Sequence, residues 1–380
     1  MKFNLVSVIK LSFIDKWFLF LNGLNSDARV SDESSGSLLS GYKSIPFFVN
    51  IFISLINIVN VNYLGTVNVT SGNLLITLRE VTYILLVAAM KMTITGYNQL
   101  VTSTIPSLSS SQKIKITKIR LCLLIVYIIF LNYQTIQLLI NFNWSSLADK
   151  LINFGSLFLL IHSIWISNGL HFYSTYLYTI SVYSVHQLCL SFKDKVIFTM
   201  NKSTRPSTHD ITTIRSDRFR YQAIKRFLDR TINWWSIVWY FDAFFTTCLI
   251  LVNCFYPSLP NTESTSTLTN NLLIIYLIRT LSLFGITILV DYITNYETSI
   301  TFYIGDHLAP RLDDSMEIKL EYVKLSQELG SRPFIPYTLA DMFNINRNLI
   351  LSFFSAVLPL TVITLSFIRE SNQSSPTNSS

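Results

Sequence analysis

Three ionisable residues stand toward one end of long apolar runs: Arg79 and Glu80 in one, Arg279 in another. A charge at mid-bilayer depth costs about 2.5–3.5 kcal/mol on insertion scales, so each must find a partner or serve a ligand. Counting inward by helical rise places all three roughly 10–12 Å below the same surface. A Glu80–Arg279 pair is the expectation, with Arg79 reaching back to the interface along its long stem. The chemistry on offer is recognition: a polar wall, with Tyr83 beside it, facing a small molecule. Lys91, Asp242 and Asp291 lie nearer the opposite surface, where a structural pair among them is expected.

Two aromatic stripes would complete such a wall. Phe130, Tyr133 and Gln137 recur at i, i+3, i+7, and Phe158, His162 and Trp165 at i, i+4, i+7. Aromatic faces with isolated hydrogen-bonding groups suit a small, mostly apolar ligand; the same spacing also serves helix packing. In the last apolar run Ser352, Ser355, Pro359 and Ser366 form a small, polar stripe, read either as a close helix contact or as a pore face. That run holds no Asp or Glu, so an apolar constriction rather than an acidic ring is the expected gate. The histidines are scattered, and no nucleotide-binding glycine loop, metal-ligand spacing or catalytic triad occurs. Neither catalysis nor a metal or cofactor is expected.

The elements that must position these residues follow from composition. Half of the 380 residues are hydrophobic and only 13% are charged, about half the charged share of soluble domains. Apolar blocks near 46–65, 73–97, 121–141, 152–174, 234–256, 271–295 and 347–368 have the length of bilayer-spanning helices. Of the 29 Lys and Arg residues, 24 fall in alternate loops assigned to one side, and only Lys150 and Arg369 on the other. This asymmetry predicts seven spans with the N-terminus in the cytosol and the C-terminus outside. The sequons at Asn68, Asn143 and Asn372 fall outside in that topology and are expected glycosylation sites. The net charge of +7 therefore reads as loop charge facing anionic lipid, not nucleic acid. Cys122, Cys189, Cys248 and Cys254 suggest no disulfide framework. Segment 5–22, interrupted by Lys10, Asp15 and Lys16, reads as an amphipathic helix on the inner leaflet rather than a signal peptide.

The fold class expected is thus all-α and polytopic, with a cytosolic segment over 1–45, a membrane domain over 46–368 and an external tail over 369–380. The fourth run continues from Leu151 to about Phe192 without proline, roughly 60 Å as a helix and about twice the bilayer core. The chain from Arg215 to Trp234 is helical by period, with Phe219, Ala223, Phe227 and Leu228 assigned to its apolar face. Cytosolic helices near 175–233 and 297–346 are expected to pack as an anchor bundle. A secondary transporter would show repeated halves and broken helices, and a G-protein-coupled receptor the opposite orientation; both rank below a channel.

The last fifty or so residues resemble the arthropod gustatory receptors of the insect chemoreceptor superfamily. The resemblance rests on Tyr322-Val-Lys-Leu-Ser-Gln327-Glu-Leu, Pro333-Phe334, the segment from Ala340 through Phe343, Ile345 and Arg347 to Leu349, and the span that follows. The family's hallmark in that span, Thr-Tyr and then Gln-Phe, corresponds to Pro359, Leu360, Ser366 and Phe367, of which only the phenylalanine is kept. The resemblance, to a divergent member, implies a ligand-gated, non-selective cation channel of the plasma membrane, a homo- or heterotetramer opened by a small-molecule tastant. It further implies a pore lined by the last helix and a ligand pocket opening outward within each subunit.

Overall fold

The computed structural model describes residue 24 and residues 45–59, 71–104, 108–141, 161–200, 207–255, 263–307, 314–331, 336–339 and 341–373. Within these, the chain forms eight α-helices and one two-stranded hairpin. The helices are α1 (Ile45–Val59), α2 (Ser71–Thr104), α3 (Ser110–Asn141), α4 (Gly169–Met200), α5 (Thr208–Phe255), α6 (Glu263–His307), α7 (Met316–Ser331) and α8 (Arg347–Gln373). A π-helical turn, Ser163–Asn168, leads into α4. Strands β1 (Thr338–Leu339) and β2 (Phe343–Asn344) pair antiparallel between α7 and α8. The amphipathic segment 5–22 and the sequons at Asn68 and Asn143 lie outside the described residues, as does the side chain of Asn372.

Helix length separates membrane from anchor. Helix α5 has 48 residues, about 72 Å at 1.5 Å per residue and more than twice a bilayer core. Stretches of α5, α6 and α8 are long and apolar enough to cross a membrane. Helix α3 adds a row of exposed Ile125, Val126, Ile129, Ile136 and Ile140, a face suited to lipid. At the opposite, water-facing end, backbone donors need local caps. Ser109 and Gln112 cap α3 reciprocally, with backbone-to-side-chain bonds of 3.0 and 3.3 Å. Ser207 and Asp210 do the same for α5, at 3.0 and 3.2 Å. Asn346 caps α8 through the Leu349 N–H at 3.2 Å.

Helix α5 is the hub, packing against α2, α4, α6, α7 and α8. Its two buried indoles are satisfied: Trp235 Nε1 donates to Thr93 Oγ1 at 2.7 Å and Trp239 Nε1 to Ser174 Oγ at 3.0 Å. Below them the extensions of α4, α5 and α6 join α7 and the hairpin. Lys225 and the Tyr221 hydroxyl, both buried, donate to the Glu297 carboxylate. Asp229 accepts the Thr338 N–H at 2.8 Å and its hydroxyl at 2.7 Å, tying the hairpin to α5. Arg215 on α5 bridges Glu321, at 2.8 Å, and Glu328 on α7. Lys324, and after it Arg215, holds the Glu321 carboxyl below its ordinary range.

The face expected inward on this part of α5 is turned. Leu228 is fully buried, yet Phe219 is 68% exposed and Phe227 38%. Burying Lys225 and Asp229 against Glu297 and the hairpin sets the rotation, and the two phenylalanines follow to the outside.

Candidate functional site

A second polar cluster lies in the half of the bundle remote from the hairpin, where α1, α2, the π turn, α3, α5 and α6 meet. Helix α2 supplies Arg79, Glu80, Thr82 and Tyr83, all buried. The Glu80 carboxylate accepts the Ser167 hydroxyl at 3.0 Å and Arg79 Nη2 at 3.4 Å. Helix α1 supplies Asn50, whose Oδ1 lies 3.1 Å from His162 Nε2 and which also hydrogen-bonds Tyr83. Helix α3 supplies Gln134, whose Oε1 lies 3.5 Å from Asn168 Nδ2.

The expected Glu80–Arg279 pair is not how Arg279 is held. Its Nη2 sits 3.0 Å from the Asp242 carboxylate, which also accepts the Thr82 hydroxyl at 3.1 Å, and its guanidinium lies 5.1 Å from the Tyr276 ring centre. Helices α5 and α6 are antiparallel, and the two residues stand at comparable distances from the ends at Phe255 and Glu263, so they fall level. Asp291 likewise finds Arg347, at 2.9 Å, and Lys91 lies 5.5 Å from the Phe47 ring centre. The expected pair among Lys91, Asp242 and Asp291 is thereby replaced.

This cluster is incompletely satisfied. Buried atoms without a hydrogen-bond partner include Ser54 Oγ, Asn57 Nδ2, Arg79 Nε, Gln134 Nε2, His162 Nδ1 and Asn168 Oδ1. Arg279 adds both Nε and Nη1. Each such group costs about 1–3 kcal/mol when left unpaired. A network in low dielectric keeps that many only where something else completes it. The open positions are mostly donors, which water or another acceptor-bearing solute can complete. Among the described residues, no group of three or more His, Cys, Asp or Glu is placed to hold a metal.

Of the anticipated wall, Arg79, Glu80, Tyr83, His162 and Arg279 come together here. Trp165 stands at the edge, its Nε1 donating to Thr135 Oγ1 at 2.8 Å. Phe130 packs on Phe172, with centroids 4.8 Å apart, away from the network, and Tyr133 is 52% exposed. Phe158 and the side chain of Gln137 lie outside the described residues. Asn50, Gln134, Ser167, Asn168 and Asp242 are additional members. Asn50, Ser54 and Asn57, at i, i+4, i+7 in an apolar helix, are a stripe that periodicity reveals. Ser167 and Asn168 carry no such signal, because the π turn that presents them has a different period.

Helix α8 is packed on one side only. Phe353, Val357 and Thr361 are buried, while Ser352, Ser355, Pro359 and Ser366 share the exposed side. In its most apolar stretch 17% of residues are buried, against 50% for α5 and 39% for α6, so the other described helices leave this one largely uncovered. Phe353 joins it to the site's helices, with ring centroids 6.0 Å from Phe244 on α5 and 5.4 Å from Phe284 on α6.

No family model matches this chain, and no curated protein does. Its fold is similar to that of an insect olfactory receptor, OR5 from Machilis hrabei, in complex with eugenol. The TM-score is 0.67 at 10% identity, over 96% of this chain and 100% of that one. The structure of the same receptor described without eugenol gives 0.64 at 10% identity, over 96% and 99%.

Proposed function

We propose that this chain is a subunit of an insect-type chemoreceptor channel, of the gustatory kind, that opens to cations when a small molecule occupies the incompletely satisfied network around Arg79, Glu80 and Arg279. The observation that carries the reading is the full-length likeness to a chemoreceptor fold, with a buried polar cluster inside it in which several atoms of Arg79, Gln134, His162 and Arg279 lack partners. Eugenol is the ligand of the similar receptor; the donor-rich network here favours a more polar, water-soluble tastant. The chain sits in the plasma membrane with its N-terminus in the cytosol, and Asn68, Asn143 and Asn372 are glycosylated outside.

Four such subunits, alike or related, place the uncovered side of α8 around a shared axis. Ser352, Ser355, Pro359 and Ser366 then face the pore. The Ser355 and Ser366 hydroxyls are bonded to Leu351 O and Val362 O at 2.9 and 3.0 Å, so the stripe presents weakly polar walls without charge. Ligand binding shifts an existing closed–open equilibrium through its different affinity for the two states. A ligand that draws Arg279 toward itself loosens the contact with Asp242, and Phe244 and Phe284 carry the change to Phe353.

The test is expression in cells lacking such receptors, with currents recorded against sugars, bitter compounds and amino acids. The expected result is a ligand-evoked current carried by several cations, reversing near zero. Solute uptake that needs a counter-ion gradient would show a transporter instead.

A further inference from the structure

A groove of about 340 Å³ lies between α3, α4 and α6, on a different face from the polar network. Leu123, Val126, Phe130, Phe172, Ile286 and Leu289 dominate its lining, and the 64% exposure of Val126 shows that it opens on the apolar side of the bundle. Its hydroxyls are already engaged. Thr175, Thr179 and Ser282 donate to backbone carbonyls one turn back, at 2.8, 2.9 and 2.8 Å, and Tyr127 donates to Gly169 O at 3.0 Å. A mostly apolar wall whose threonine and serine donors are engaged within their own helices selects hydrocarbon.

One end of the groove is basic. Arg120, Leu123, Tyr127 and Phe130 lie along a single stripe of α3, and Arg120 Nε donates to the hydroxyl of Tyr176, a lining residue, at 2.8 Å. Lys113, Lys115 and Lys118 occupy the turns before it. From Arg120 to Phe130 is about 15 Å of helix, half of a hydrocarbon core about 30 Å thick. The groove therefore runs one leaflet deep from a cationic rim.

We infer that this groove holds one acyl chain of an anionic phospholipid of the inner leaflet, its headgroup at Arg120. The inference rests on the orientation proposed above, which puts the N-terminal end of α3 at the cytosolic surface. Gly285 lines the groove, and a Cβ built there would meet nothing within 4 Å, so a larger side chain can occupy the chain's place without displacing backbone.

The experiment is native mass spectrometry of the full chain released from vesicles of phosphatidylserine and phosphatidylcholine. It needs no current, so it stands apart from the channel reading. The wild type retains phosphatidylserine in preference by roughly fivefold, the worth of one basic residue near an anionic surface. Arg120→Gln removes the preference; Gly285→Leu and, independently, Ser282→Phe remove retained phospholipid of both kinds, while Gly285→Ala keeps it. Equal retention of the two lipids by the wild type, a free fatty acid in place of phospholipid, or undiminished retention in both filled variants overturns the inference.

Discussion

Among the described residues two polar clusters are buried, and they are built differently. Around Glu297 the charged groups are matched, Lys225 and Tyr221 on one carboxylate and Thr338 on Asp229 with both its donors, and the open atoms beside them are the neutral hydroxyls of Tyr178 and Tyr337. Around Glu80 the carboxylates are engaged, yet Arg79, Arg279, Asn57, Gln134 and His162 retain nitrogen atoms without partners. The first arrangement holds helices in one register. The second leaves mostly donor nitrogens open to a further acceptor.

The largest effect should come from breaking the charge-matched cluster. Lys225→Met strands a buried carboxylate and is expected to cost about 3–5 kcal/mol, whereas the pair Lys225→Met with Glu297→Leu recovers most of it. Thermal unfolding of the purified chain in detergent checks both. If the double variant is no more stable than the single one, the lower cluster is not a matched pair.

The incomplete cluster should respond in the opposite sense. Asn57→Leu removes a buried donor that has no partner, so stability holds or rises slightly. Ligand sensitivity falls about tenfold, equivalent to about 1.4 kcal/mol, read as the half-maximal concentration for current. A loss of stability with unchanged sensitivity would make the two clusters alike.

Ser355→Phe touches neither cluster. It is expected to lower single-channel conductance while leaving unfolding temperature and half-maximal concentration in place. The smallest effect is at Asp341, which holds a φ of 60° in the hairpin beside the anchor. Asp341→Gly relaxes that left-handed conformation and stabilises by less than about 1 kcal/mol, measured by the same unfolding.

Much of this was legible in the sequence. Apolar blocks marked the membrane-crossing stretches within the long helices, because bilayer thickness fixes the length of those stretches. Intramembrane cost singled out Arg79, Glu80 and Arg279 as residues needing a reason, and all three lie in the cluster. Partner choice was not legible: which carboxylate Arg279 meets depends on the relative heights of α5 and α6, set by loops and packing. The π turn that brings Ser167 to Glu80 was also hidden, since a shift of period over six residues leaves no composition mark. The turned face of α5 had the same origin. Phe219 and Phe227 look like core until the buried ion pair is known to rotate the helix.

Which cluster a dissolved ligand can reach depends on sidedness, and one measurement decides it. Epitope tags at the two termini are stained on intact cells and again after permeabilisation. The account predicts a C-terminal tag visible on intact cells and an N-terminal tag visible only after permeabilisation. The reverse pattern would put the network around Glu80 out of reach from outside and contradict its role as the ligand site, and both tags hidden would contradict the seven-span topology on which that role rests.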